Sequence, residues 1–478
     1  MNFGVILYTL GWVLNFEAAG FLLPLLCAVF YGEPYKLLFV TCSAICLFFG
    51  VLLTYKPPKS KYMYAKEGYI TVALSWIVMC IFGSLPFLVS DFIPTFADAL
   101  FETVSGFTTT GASILTDVEA LPKCMLFWRS FTHWIGGMGV LVFLVAILPL
   151  SGGNNFHLIK AESPGPAVSK IVPKVKENAK ILYGIYIFFT ILEVIFLLVG
   201  GMTVFEALTL SFGTAGTGGF GIRNTSIAEY SPYIQNVITV FMIIFGVDFS
   251  LYYLILMRKF KSVLRSDELR AYLGVILAAA VVIAFNCRGM FSSLGESLHH
   301  SFFQVASIIT TTGYSTADFD LWPQLSKMVL LGLLFMGACA GSTGGGIKVS
   351  RILILLKSVV KEVKIAAHPK STHKILMNGR TVEHETVRAI NVYMAAYIAV
   401  FAVSLLLVSI DGYDFTTSFT AVATAIGNVG PGFAKVGPAC NFSIFSDLST
   451  FVLAFDMLAG RLEIIPMLVL LSPYTWKK

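Results

Sequence analysis

The chain has 478 residues, with 33 lysines and arginines against 27 aspartates and glutamates, a formal net charge of +6. Apolar residues make up 56%, charged residues only 13%, and the mean hydropathy is +0.81. A soluble domain carries about 25% charged residues, so this composition cannot cover a water-facing surface, and it excludes a disordered chain, a collagen and a disulfide-stapled secreted scaffold as well. What remains is an all-α polytopic membrane protein. A spanning β-strand would alternate polar and apolar residues over about 10 positions. Runs such as Ile181–Gly200 are instead continuously apolar, at about the 20 residues a spanning helix needs.

In chain order, spanning helices are predicted at 3–30, 36–55, 68–90, 123–150, 181–201, 233–257, 271–287, 325–357, 387–410 and 446–471. No basic region and no small-residue cleavage site precedes the first run, which therefore reads as a retained helix. The segments 56–66, 151–180, 258–270, 348–388 and the C-terminal tail hold 25 of the 33 lysines and arginines. That bias places them on the cytoplasmic side, with ten crossings and both termini cytoplasmic. The eight cysteines lie mostly within apolar runs without a CxxC pair, and read as small core residues.

On the other side, four segments near 95–121, 203–231, 294–323 and 413–444 are interrupted by Gly, Pro, Thr and Asn. Each holds an apolar stretch of about 10–14 residues, too short to span and suited to a re-entrant half-helix. The chain thus divides into an N-terminal helix pair (1–60) and four helix–pore loop–helix repeats: 61–165, 166–265, 266–375 with a gating loop, and 376–478. Anchored on one glycine each, the copies read FETVSGFTTTG to Gly111, TLSFGTAGTGG to Gly219, FQVASIITTTG to Gly313 and TAVATAIGNVG to Gly430. Six residues before the anchor stand Ser105, Gly213, Ser307 and Thr424, all small. Two before it stand Thr109, Thr217, Thr311 and Asn428.

A cation crossing lipid must exchange its water shell for oxygen ligands, and rings of backbone carbonyls supply them without full charges. Glycine turns a carbonyl inward at no steric cost, and a half-helix adds negative partial charge at its C-terminal end. Four such copies predict a pseudo-fourfold filter made of Thr109, Thr110, Gly111, Thr217, Gly218, Gly219, Thr311, Thr312, Gly313, Asn428, Val429 and Gly430. The fourth copy is the most divergent, and Gly432 competes with Gly430 for its anchor.

Below the filter, the eighth helix is interrupted by GACAGSTGGG from Gly337 to Gly346. Glycine costs about 1 kcal/mol per helical position relative to alanine, so this stretch breaks the helix. It reads as a pore-obstructing loop through Gly341, Ser342, Thr343, Gly344, Gly345 and Gly346, or as close helix packing. Arg461, deep in the tenth helix, is an intramembrane charge of the kind that seldom occurs without a role. A cation below a cation filter raises the barrier, unless Arg461 is simply paired with Glu463, Asp456 or Asp248. Lys348 ends the glycine loop as a gating element or as a positive-inside anchor. Among the other charges, Asp117, Glu206, Asp320, Asp411, Asp414, Glu102 and their neighbours form an acidic mouth or solvated loops, and Arg129 and His133 bond between helices. Glu17 and Glu193 stand isolated in apolar helices. The GxGxxG match at Gly216–Gly221 lacks a βαβ context, and the glycine loop lacks a P-loop lysine in register. No constellation for catalysis is present in the sequence, so the chain does not read as an enzyme.

With these motifs in hand, the chain resembles the Trk/Ktr/HKT superfamily of potassium transporters, most of all the bacterial TrkH-type potassium uptake subunit. The resemblance rests on FTTTGAS (Phe107–Ser113), GTGGFGIRN (Gly216–Asn224), TTTGYST (Thr310–Thr316), GACAGSTGGGIK (Gly337–Lys348), NVGPGF (Asn428–Phe433) and MLAGRLEI (Met457–Ile464). It implies potassium as the permeating ion, since the first anchor is Gly111 and not serine, with no bound cofactor. It further implies an intramembrane gating loop, a pore-facing Arg461, a place in the bacterial inner membrane, a homodimer, and a cytosolic nucleotide-binding (NAD or ATP) regulatory subunit. Membrane lipid is the other expected partner, and nucleic acid is not. A sodium- or proton-coupled secondary transporter of a small solute is the alternative. Its inverted repeats contrast with the parallel repeats read here.

Overall fold

The computed structural model describes residues 1–58, 63–139, 175–369 and 371–477. Apart from a two-stranded hairpin pairing Leu376–Met377 with Arg380–Thr381, the regular structure is helical. Six helices are long and apolar enough to cross a membrane: Phe3–Phe30, Lys36–Thr54, Ala65–Val89, Ala179–Val199, Asp267–Cys287 and His384–Asp411. A bent pair, Pro232–Phe245 and Phe249–Leu256, makes a seventh. Large apolar side chains such as Leu37, Phe48, Leu52, Leu277 and Leu406 project outward from these helices, more than half exposed. That is the surface a lipid-facing bundle requires.

Three predicted spans prove discontinuous, each for a local reason. The helix expected at 325–357 splits into Gln324–Met336 and Val349–Ala367 around the glycine loop. The one at 233–257 bends by 90°, where Asp248 caps the second half by accepting the Ser250 N–H at 2.8 Å. The one at 446–471 breaks after Arg461, where Glu463 and Ile464 both take left-handed backbone angles. The span expected at 123–150 is described as the helix Lys123–Gly137, and its remainder, with most of the basic 151–180 segment, lies outside the described residues.

The four expected half-helices form, at Phe96–Phe107, Val204–Gly216, Leu294–Ile309 and Phe415–Gly427. At 1.5 Å per residue none reaches across a bilayer. Each starts at a side-chain cap: Thr95 accepts from Asp98 N–H, Thr203 from Glu206, Ser293 from Glu296 and Asp414 from Thr417. Such caps satisfy N–H groups left over in the first turn, and Thr203 with Glu206 makes the reciprocal capping box. The N-terminal pair packs through small residues, with Gly50 against Asn15 and Gly11 against Leu53. Its Phe21 and Phe39 join Trp76, Phe107 and Trp128 in one apolar core beside the first half-helix.

Candidate functional site

Where each half-helix ends, the backbone makes the same turn. Thr109, Thr217, Thr311 and Asn428 have φ of 55°, 56°, 59° and 53°, and the anchors Gly111, Gly219, Gly313 and Gly430 have 81°, 76°, 85° and 97°. The residues between them, Thr110, Gly218, Thr312 and Val429, are not left-handed. Left-handed threonine is costly, at about 1–3 kcal/mol for such a residue, and here it recurs in three copies. Asparagine tolerates that region better, which accounts for its use in the fourth.

The turn sorts donors from acceptors. In every copy the N–H one residue before the anchor donates to the carbonyl six before it: Thr110 to Ser105 at 2.9 Å, Gly218 to Gly213 at 2.8 Å, Thr312 to Ser307 at 2.9 Å and Val429 to Thr424 at 3.0 Å. The N–H two before the anchor likewise returns to the half-helix, as Thr109 does to Gly106 at 3.1 Å. With the donors turned back, the carbonyls of Thr109–Gly111, Thr217–Gly219, Thr311–Gly313 and 428–430 accept from no protein donor among the described residues. Buried carbonyls normally find a partner. Here twelve are left without a protein donor among the described residues.

The strands close into a ring. A methyl group on Gly111 would strike the Gly218 carbonyl, one on Gly219 the Thr312 carbonyl, one on Gly313 the Val429 carbonyl, and one on Gly430 the Thr110 carbonyl. All twelve predicted filter residues therefore come together, in chain order around one axis. Gly430 holds the fourth position, whereas Gly432 packs on Thr420 and Val436 outside the ring. Three of the four junctions between strands are held by different side-chain contacts. Asn428 Nδ2 donates to Thr110 Oγ1 at 3.0 Å, and Phe442 N–H to Ser113 O at 2.9 Å, between the fourth and first strands. Tyr314 Oη donates to Leu210 O at 3.1 Å between the third and second. His133 Nε2 accepts the Phe220 N–H at 3.2 Å while Nδ1 meets Gly106 O at 2.7 Å. Those partners fix the proton on Nδ1 and tie the second strand to the first half-helix.

Beyond the ring lies a cavity of about 180 Å³ lined by all four anchor glycines, with Thr116, Asn224 and Asn441 among its polar walls. No carboxylate stands among its described lining residues. Carboxylates expected at this mouth are held by neighbouring groups. Asp411 accepts from Ser446 N–H at 2.9 Å and Asp320 pairs with Lys327 at 2.9 Å. The Asn224 amide donates to Asp117 at 2.8 Å and holds its carboxyl below the usual range. Glu102, expected with them, is fully buried against Arg129.

On the opposite side of the ring sits the glycine loop. Its Gly345 N–H donates to Thr311 Oγ1 at 2.7 Å, and Gly344 lies against the Thr310 carbonyl. Side chains at Gly337 or Gly346 would clash with the facing strand of the loop itself. The Lys348 ammonium donates back to Gly344 O, and Ser342 Oγ to Cys339 O at 2.6 Å. The loop is anchored at the bend of the sixth span, with Cys339 N–H on Gly246 O at 3.1 Å, Phe249 N–H on Gly341 O at 3.1 Å and Thr343 Oγ1 on Phe245 O at 3.2 Å. Arg461 reaches it from the fourth repeat, donating to Thr343 O at 2.7 Å, to Gly137 O at 2.8 Å and to Gly136 O. Glu463 pairs with Arg351 instead, and Asp456 accepts from Ser404 at 2.7 Å. The sequence reading missed Glu268, whose Oε1 accepts Ala340 N–H at 2.7 Å and Ser350 N–H at 3.1 Å. It clasps both ends of the loop from 72 and 82 residues away, a distance at which no local pattern signals it.

Fold and site define a multi-span helical membrane protein with four re-entrant half-helices meeting on one ring. The family described as TrkH, a cation transport protein, matches residues 37–286 and 289–477. The chain is 35% identical to the Trk system potassium uptake protein TrkH of Salmonella typhimurium and 36% identical to that of Vibrio parahaemolyticus, covering 100% of each chain in both cases. The crystal structure of the potassium transporter TrkH from Vibrio parahaemolyticus superposes with a TM-score of 0.89 at 33% identity over 100% of both chains. The chain belongs to the TrkH cation transport protein family.

Proposed function

We propose that this chain takes up potassium across the bacterial inner membrane, both termini cytoplasmic, through the ring of strand carbonyls. The observation that carries the reading is the set of carbonyls without a protein donor on four strands, in each of which the two N–H groups before the anchor glycine turn back to the half-helix. Potassium gives up its hydration to such oxygens without meeting a fixed charge. The half-helix C-termini that lead into the strands add negative potential where the cation dehydrates. An inside-negative membrane potential supplies about 2.3 kcal/mol per charge per 100 mV, which suffices to drive uptake.

The glycine loop and Arg461 act as the gate. The loop sits under the third strand, and Arg461 pins it to the first repeat through backbone carbonyls. Glu268 acts as a second fastening. Glu268→Ala is expected to raise rubidium flux of reconstituted protein several-fold, since losing hydrogen bonds to a charged acceptor costs about 1.5–3 kcal/mol. A smaller flux at unchanged protein yield would remove Glu268 from the gate. Assembly as a homodimer, with a cytosolic nucleotide-binding regulatory subunit on the basic 348–388 face, completes the reading. It is supported by family membership and by the charge bias.

The test is growth of a potassium-uptake-deficient bacterium at low external potassium, together with rubidium flux into proteoliposomes holding only this chain. Rescue and flux driven by potential alone are expected. Flux that requires a sodium or proton gradient would favour the coupled transporter instead.

A further inference from the structure

Only the first repeat carries an acid nine residues before its anchor glycine. Glu102 stands where the other copies have Leu210, Gln304 and Ala421. It is fully buried and meets Arg129 Nε at 2.5 Å, itself 3% exposed. The remaining bonds of this pair all go to filter strands. Glu102 accepts the Ile114 N–H at 2.9 Å and the Ser113 hydroxyl at 3.1 Å, just past Gly111 on the first strand. Arg129 Nη1 donates to the Gly221 carbonyl at 2.9 Å, and its guanidinium lies 3.6 Å from the centre of the Phe220 ring, just past Gly219 on the second. Ser113 O in turn holds Phe442 of the fourth repeat at 2.9 Å. Arg129 also lines the outer cavity.

We propose that Glu102 and Arg129 are positioning residues for ion selectivity, an ionic brace that fixes the separation of the first and second filter strands. This rests on the filter reading above. Carbonyl rings discriminate between potassium and sodium only while their spacing, or the stiffness that maintains it, is kept. A planar guanidinium bonded to a carboxylate on one edge and a carbonyl on the other sets a distance that a flexible ammonium does not. The pair spans the junction where Gly111 lies directly against the backbone of Gly218 and Gly219.

The test measures the rubidium-to-sodium flux ratio in proteoliposomes for Glu102→Gln, Arg129→Gln, Arg129→Lys and the double Glu102→Gln/Arg129→Gln, with Gly111→Ser alongside. The single neutral variants are expected to lower the ratio about tenfold, equivalent to roughly 1.4 kcal/mol, and Arg129→Lys to lower it less. A role in folding alone would reduce protein yield and leave the ratio of the surviving protein unchanged. If an unpaired charge keeps a single variant from folding, the double variant, which has none, gives the same reading, and its ratio is expected to fall. Unchanged ratios in the folded brace variants beside a shifted Gly111→Ser overturn the brace. An unchanged ratio in Gly111→Ser overturns the filter reading and the brace with it.

Discussion

Gly111→Ser is expected to admit sodium. At φ 81° any side chain is strained, and a left-handed residue with a Cβ costs about 1–2 kcal/mol. The larger effect is on the neighbour. The new Cβ would overlap the Gly218 carbonyl oxygen, so the second strand must retreat and the oxygen cage must widen or tilt. Serine's hydroxyl then offers a ligand of different reach. The rubidium-to-sodium flux ratio should fall by about tenfold or more, a change of roughly 1.4 kcal/mol for each factor of ten. Total conductance changes much less. A ratio equal to that of the parent protein would remove the ring from the selectivity mechanism.

Arg461→Ala is expected to raise flux, not to lower it. The guanidinium makes bonds to carbonyls of Thr343, Gly136 and Gly137, and thereby joins the fourth repeat, the loop and the first repeat at one point. Hydrogen bonds involving a charged group contribute about 1.5–3 kcal/mol each. Removing them together shifts a closed-to-open equilibrium by roughly a hundredfold for every 2.7 kcal/mol lost. On the proposed gate, removing a positive charge lowers the barrier to a cation in the same direction. Rubidium uptake at fixed potential should rise about tenfold or more, with the rubidium-to-sodium ratio retained because the filter strands are untouched. A loss of flux in well-folded protein would give Arg461 a different role.

The four half-helices and the turns that end them were readable because their chemistry is local. An anchor glycine, a small residue six positions earlier and a short half-helix recur in the chain itself, and in the structure the backbone carbonyl of that small residue accepts the N–H just before the anchor. The four helix caps were equally present in the letters, as Thr203 with Glu206 and Ser293 with Glu296 illustrate. The helix break at Glu463–Ile464 had no such mark, since a left-handed isoleucine is the opposite of what local preference favours and only tertiary packing imposes it. Long-range pairs were beyond reach for a related reason. Glu102 and Arg129 stand 27 residues apart, on two elements whose facing sides no periodicity reveals, and Glu268 meets the two ends of the loop from 72 and 82 residues away in the same repeat. Several acidic residues read as a mouth or as solvated loops serve in caps and ion pairs, Glu206, Asp414 and Asp320 among them, and a count of charges carries no information about such partners.

That three of the four strand junctions use different fastenings has a consequence for how permeation properties can change over time. In an assembly of identical subunits every substitution enters four times, and a modest local defect becomes a large one. Here the hydroxyl and amide contact of Asn428 with Thr110, the Tyr314 clamp and the Glu102–Arg129 pair are encoded separately. A lineage can therefore retune its ion preference a quarter at a time, testing one wall of the pore while three others keep it working.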